Sequence, residues 1–543
     1  MPTHQVTNQP PPLENYDLFR QDGPLVEGVA REGAAWAEGD LHRLGERAGS
    51  SEAIAWGAAA NAWPPVLRSH DRFGNRIDEV EYDPSYHQLM AVAVGHGLHA
   101  APWAGGAPGR GAHVARAAGF YLWSQVDAGH GCPISMTYSV LPALRPAPDL
   151  LARWQPLLTS RSYDPASRPV GEKAGALAGM AMTEKQGGSD VRANQTTAVA
   201  GDGGYYLTGH KWFCSAPMGD LFLVLAQAPG GLTCFALPRW RPDGRRNAVF
   251  LQRLKDKLGN RSNASAEIEL DGAWAERVGD EGRGVATIIE MVNHTRLDCV
   301  IGAAAGMRQA VAQATHHCAY RQAFGRPLAE QPLMTAVLAD LAVESEAATT
   351  VMLRLAGAYD RAGGDEHEAR FRRLATAVAK YWVCKRNPVL AAEALECLGG
   401  NGYIEESIMP RLFRESPLNG IWEGSGNVIC LDVLRAMARQ PESVEAFFAE
   451  VGRAEGGDAR LDAAAADLRH RLGQPEGIES RARRLVEDMA LVLQGALLVA
   501  HGHPAVADAF CASRFGGGGR AFGTLPAGGD VKTIVARATP KLG

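Results

Sequence analysis

Apolar and polar positions follow different rhythms along the chain, and the changes of rhythm mark its domains. Through residues 1–180 apolar residues cluster at helical spacing, as in YHQLMAVAVGHGLHA and AGFYLWSQVDAGH, with the glycine-rich GGAPGRG at 105–111 breaking the run. The triplet Pro10-Pro11-Pro12 predicts an extended arm lying on another element. Near residue 176 short β-rich stretches begin to alternate with Gly and Asp turns: ALAGMAMTE, TTAVAG, YYLTGHKWFCSA, LFLVLAQA, LTCFALPRW, NAVFLQRL and SAEIELDG. Strands of that length and spacing predict a small barrel or sandwich. From Gly284 to about 440 helical periodicity returns, with Leu333, Val337, Leu338 and Leu341 expected on one apolar face. The pattern is therefore α+β multidomain: an N-terminal arm and helical domain (1–180), a β-barrel domain (181–283), a helical domain (284–440) and a C-terminal helical module (441–543) rich in Ala and Arg.

Composition narrows the function classes. A chain of 543 residues predicts three or four domains, and 46% apolar with 21% charged residues is globular rather than disordered. The net charge of -5 gives no general basic field, so affinity for nucleic acid would need a local patch. No apolar run is long enough to cross a membrane, and the opening MPTHQVTNQPPPLENYDLF lacks a basic stretch followed by an apolar one, so no secretory signal is expected. Nine cysteines without a CxxC pair suit a reducing cytoplasm. His316 and His317 are adjacent and point different ways on a helix, and His501 and His503 have no cysteine partners at ligand spacing, so no metal site is expected.

Five local sequences carry candidate chemistry. Met182-Thr183-Glu184-Lys185-Gln186-Gly187-Gly188-Ser189-Asp190 reads by itself as a glycine turn after a strand. His210-Lys211-Trp212-Phe213-Cys214-Ser215 places a Trp in a barrel strand, as core or as a stacking platform. LKDKLGNRSNAS at 254–265 joins two strands. Arg321-Gln322-Ala323-Phe324-Gly325-Arg326-Pro327, followed by Gln331, offers a guanidinium fork suited to phosphate. LECLGGNGY at 395–403 and Ile421-Trp422-Glu423-Gly424-Ser425-Gly426-Asn427 form the fifth: Gly399 and Gly400 let backbone approach a diphosphate, and Ser425 to Asn427 open a helix whose amides suit an anion. Glu423 alone reads as a glutamate favoured by the helix dipole.

In this order the five resemble the acyl-CoA dehydrogenase family, whose equivalents are MTEPxxGSD, KxWITN, KxGxRxSxT, RxxFGxP, LQxxGGxGY and YEGTSxxQ. The resemblance implies FAD as cofactor. Met182, Thr183, Ser189, Trp212, Cys214 and Ser215 would then lie by the flavin, with Cys214 standing where the family has Thr. Arg321, Phe324 and Gln331 would reach a neighbouring subunit's FAD, and Gly399, Gly400, Trp422, Gly424, Ser425 and Asn427 would complete the cofactor site. Glu423 matches the family's catalytic base, which takes the α-proton of an acyl thioester. Trp422 replaces the usual Tyr and Gly426 a common Ser.

Several stretches, among them NQPPPLENYDL, EGVAREGA, MTEKQGGSD, RLKDKLGNRSNAS, NGIWEGSGN and CLDVLR, resemble one branch closely, the AidB-like proteins. That implies a homotetramer binding double-stranded DNA through the C-terminal module, protecting it from alkylating agents, with feeble acyl-CoA dehydrogenase activity. Arg435, Arg514 and Arg520 are the arginines the resemblance assigns to DNA. The module itself is not basic, with 12 Lys plus Arg against 13 Asp plus Glu. The alternatives are a dehydrogenase of a short or branched acyl-CoA, and a flavoprotein whose FAD serves only assembly.

Overall fold

The computed structural model describes residues 3–106 and 109–542; residues 107 and 108 of the glycine-rich break lie outside the described residues. The chain forms two interleaved compact units. One comprises Glu52–Pro108 and Val126–Asp298, the other Met1–Ser51, Gly109–Gln125 and Cys299–Gly543.

The first unit is built on the expected barrel. Its strands run in the order Ala178–Ala181, Leu221–Ala228, Thr197–Gly201, Gly204–Ser215, Ser265–Val278 and Gly231–Pro238, and the last pairs back onto Leu221–Ala228. Strand Val249–Leu254 pairs with Ser265–Val278. Leu207, Val224, Phe235, Leu237, Leu251, Ile268 and Leu270 fill the interior. Leu221, Leu223 and Leu225 point the other way, onto Met136 and Val140 of helix Gly131–Ala143 and onto Leu150 and Trp154 of Pro148–Leu158. Burial on both faces explains why LFLVLA, residues 221–226, is continuously apolar. The hairpin Val66–His70/Arg76–Glu81 is a departure from the mostly helical reading of the first 180 residues. It is short, largely exposed and rich in charge, so its alternation is weak in sequence.

In the second unit, Pro332–Arg361 is buried on nearly every side from Leu338 to Tyr359, the mark of a central helix. Val337 is half-buried, and Leu338 and Leu341 are inside as expected, but Leu333 is exposed because it sits in the first turn, before the helix enters the core. Helix Glu366–Cys397 packs alongside, its start capped by Asp365, which accepts from the His367 and Glu368 amides. The arm does lie on another element: Asn8 exchanges two hydrogen bonds with the Gln322 backbone, at 2.9 and 2.7 Å, and the Pro11 carbonyl accepts from His316.

Residues 441–543 are held to the central helix by buried charge. Arg354, between Glu368 and Glu450 at 2.9 and 2.6 Å, ties in helix Glu442–Val451. Arg514 reaches Asp340 and Glu344 at 2.8 and 2.9 Å, and Arg537 reaches Glu346 and Glu27.

Candidate functional site

In the barrel unit, the turn after Ala178–Ala181 is fixed from beneath. Glu184, fully buried, accepts from Lys211 Nζ at 2.7 Å and from the amides of Gln195 and Thr196. Burial pushes the Glu184 carboxyl up, but the hydrogen bonds from Lys211, Thr196 and Gln195 outweigh it and bring the pKa to about 2. The Trp212 amide donates to the Thr183 carbonyl at 2.7 Å, joining the first two motifs. Asn194 holds the Met182 carbonyl, and a Cβ on Gly188 would strike the Thr183 hydroxyl, so the turn closes only with glycine there. A bulge between Lys211 and Cys214 turns Trp212 and Phe213 outward. Lys255 Nζ sits 3.1 Å over the Trp212 ring. Ser189 is exposed and Ser215 half-buried. Cys214 does not fit its expected place: its side chain packs in the barrel core, where burial raises the thiol to about 12, so it offers nothing to a ligand on the Trp212 surface.

In the helical unit, Arg321 ends helix Gly284–Tyr320 and leads into a two-residue hairpin between Gln322–Ala323 and Arg326–Pro327. Phe324 and Gly325 at its tip have φ of 52° and 81°, the mirror-image turn that matches strand twist. Left-handed backbone is costly for a bulky residue, and Phe324 is 98% exposed, so nothing in its own chain repays that strain. Gln331 donates to the Ala323 carbonyl and braces the hairpin, while Arg321 donates to the Asn8 carbonyl. Gly399, at φ 59°, and Gly400 follow helix Glu366–Cys397, and a Cβ on either would meet open space.

Glu423 lies two residues before Ser425, the N-cap of helix Gly426–Arg439, and so is outside the first turn. Its φ is 57°, and Gly424 follows at 107°. Lys380, from the middle of Glu366–Cys397, donates to the Trp422 carbonyl at 2.9 Å and to the Gly424 carbonyl. Trp422 Nε1 donates to Asn419 at 2.8 Å. Asn427 is occupied by Arg483 of helix Ile478–His501, whose Nε donates to Oδ1 at 2.8 Å. Sequence reasoning missed Lys380 and passed over the Glu184–Lys211 pair inside two quoted motifs. A lysine amid the apolar TAVAKYWVC was the available signal.

The arginines assigned to DNA separate. Arg435 is exposed, 3.7 Å from Asp432, and Arg520 is exposed beside the glycine run. Arg514 is a correction: it points inward to two carboxylates, and its charge is neutralised there. Among the described residues no group of His, Cys, Asp and Glu could hold a metal, and no helix is long and apolar enough to cross a membrane.

Helices, a closed barrel, then helices bearing a glutamate just ahead of a helix start define the acyl-CoA dehydrogenase class of fold. The chain matches the adaptive response protein AidB N-terminal domain over residues 8–165, the acyl-CoA dehydrogenase middle domain over 179–273 and the acyl-CoA dehydrogenase C-terminal domain over 282–438. It is 46% identical to AidB of Escherichia coli K12 over 513 residues, 94% of each chain. It is 30% identical to acyl-CoA dehydrogenase family member 11 of Caenorhabditis elegans, spanning 89% of this chain and 84% of that one. The crystal structure of Caenorhabditis elegans ACDH-11 in complex with C11-CoA superposes with a TM-score of 0.85 at 27% identity, covering 99% of this chain and 93% of the other. The chain belongs to the acyl-CoA dehydrogenase family, in the branch with an AidB-type N-terminal domain. Proteins of this family bind FAD.

Proposed function

We propose that the chain holds FAD, uses Glu423 as a base toward an acyl thioester at low efficiency, and binds double-stranded DNA to protect it from alkylating agents. The residues fit the cofactor. Gly399 and Gly400 present backbone to open space, Arg321 supplies a guanidinium, and Ser425, Gly426 and Asn427 begin a 14-residue helix whose amides suit phosphate. Thr183, Ser189, Trp212 and Ser215 would meet the flavin ring. When bound, FAD supplies the hydride acceptor. Glu423 would take the α-proton, and the indole of Trp422, anchored by Asn419, would limit the acyl group. Phe324 and Arg321 would serve a neighbouring copy in a homotetramer, where the exposed phenyl ring finds cover. Eight of the nine cysteines are buried, which suits a reducing cytoplasm.

The DNA reading rests on one observation. Asn427, Leu431, Arg435 and Arg439 recur every fourth residue along the exposed face of Gly426–Arg439, and Arg483 from the C-terminal segment joins that stripe at Asn427. Cations along a helix face suit sequence-independent phosphate contacts. Titration of a labelled duplex at two salt concentrations tests it. The logarithmic slope should be negative, and Arg435→Ala with Arg439→Ala should flatten it by about 2. No duplex binding at low salt overturns the reading. The Glu423 geometry favours a second one, a dehydrogenase of a short or branched acyl-CoA. It predicts turnover of roughly 1 to 1,000 per second with some acyl-CoA, lost in Glu423→Gln.

A further inference from the structure

We infer that Lys380 is the positioning residue of the glutamate loop, holding Glu423 in the left-handed conformation from which its carboxylate can act. Lys380 is 1% exposed, and among the described residues no carboxylate lies within ion-pair distance of it. A buried ammonium is costly unless its donors are used. Its hydrogen bonds run to the carbonyls of Trp422 and Gly424, the two residues that flank Glu423. One ammonium joining carbonyls two residues apart forces a tight loop between them. Glu423 occupies that loop with φ 57°, a region that disfavours any residue with a Cβ. Strain of this kind persists only where the surroundings impose it, and Lys380 is the group that imposes it. The ammonium comes from the middle of the 32-residue helix Glu366–Cys397, a rigid base, whereas Trp422 to Gly424 lie between the short turn Leu418–Gly420 and the N-cap Ser425, outside any helix or strand.

This inference rests on Glu423 being the base, and its test is chosen to separate the two. The assay follows deuterium uptake from heavy water at the α-carbon of butyryl-CoA and isovaleryl-CoA, by mass spectrometry, on the FAD-loaded protein. Exchange needs the base alone and no net oxidation. Backbone amide exchange of residues 421–428 is measured on the same samples, with flavin content and melting temperature as controls. The expected result is that Lys380→Met slows α-carbon exchange about 100-fold, the scale of a base displaced by roughly 1 Å. The thioester dissociation constant and flavin content should stay within about twofold, and the 421–428 amides should exchange faster. Lys380→Arg, which keeps charge and donors, should recover part of the rate. Full α-carbon exchange in Lys380→Met overturns the inference, as does unchanged amide protection of the loop. If the unaltered protein and Glu423→Gln exchange at the same rate, the Glu423 reading fails, and the amide data still decide whether Lys380 holds the loop. Should Lys380→Met fail to fold, Lys380→Arg with protected loop amides but no α-carbon exchange also overturns it.

Discussion

Replacing Arg514 by Ala separates a structural arginine from a DNA-contacting one. Its guanidinium bonds Asp340 at 2.8 Å and Glu344 at 2.9 Å, and both carboxylates are 2% exposed. Burial pushes the Glu344 carboxyl up, and Arg386 and Arg514 together hold it below the usual range. Breaking a buried pair from one side costs about 3–5 kcal/mol because a charge is left behind. Two partners remain in the variant: Arg386 stays 3.1 Å from Glu344, and the Gly523 amide still donates to Asp340. The lower end, about 3 kcal/mol, is therefore expected. Thermal melts should show a loss of several degrees, with the residues after Arg514 exchanging amide protons early. Duplex titration at low temperature, where the variant stays folded, should leave the salt dependence unchanged, because no phosphate contact has been removed. An unchanged melting temperature together with a salt slope shallower by about 1 would refute the structural assignment and return Arg514 to the DNA surface.

Three further substitutions probe other parts of the molecule. Lys211→Met should destabilise the barrel unit by about 3–5 kcal/mol. Because Glu184 titrates at about 2 when folded against 4.5 when unperturbed, the pair's contribution is present above 4.5 and lost as pH falls through 2, so urea melts of variant and parent should converge between those values. Gly399→Ala meets no atom but must hold φ 59° with ψ -140°, a region close to glycine-only, so a strain of about 1–3 kcal/mol should appear as weaker FAD retention, measured by flavin fluorescence on dilution. Phe324→Ala should leave the melting temperature of a single chain unchanged while lowering the sedimentation coefficient of the assembly.

What was legible in the sequence was local. The barrel strands announce themselves because residues 176–278 carry turn glycines between apolar runs, and the flavin-type motifs are contiguous segments. What was not legible depends on partners far along the chain. Nothing near Glu423 shows that a lysine 43 positions earlier fixes its backbone, and the helix-dipole reading placed it inside a turn it does not occupy. The identity of Cys214 was visible, but not that the thiol is sunk in the core beside a bulge. Charge counts gave the C-terminal segment near-neutrality without revealing which arginines meet acids on another helix. The hairpin at 66–81 escaped because a short exposed ribbon has little apolar alternation to display.

Those internal arginines change what the C-terminal segment is. Taken alone, 441–543 looks like an addition to an acyl-CoA dehydrogenase, removable in principle. Removing it would strand Asp340, Glu344 and Glu346 on the central helix without Arg514 and Arg537, and would take Glu450 from Arg354. It would also take the Ala538 carbonyl from Arg308 and Arg537 from Glu27, in the N-terminal part of the same unit. The losses at Asp340, Glu344, Glu346 and Arg354 each remove a partner from a buried charge. A truncated chain would therefore lose DNA binding, flavin retention and Glu423 chemistry together, whichever of them the segment serves. Only single substitutions of its exposed arginines, Arg483 and Arg520, compared with Arg435 and Arg439 on helix Gly426–Arg439, can assign it a function.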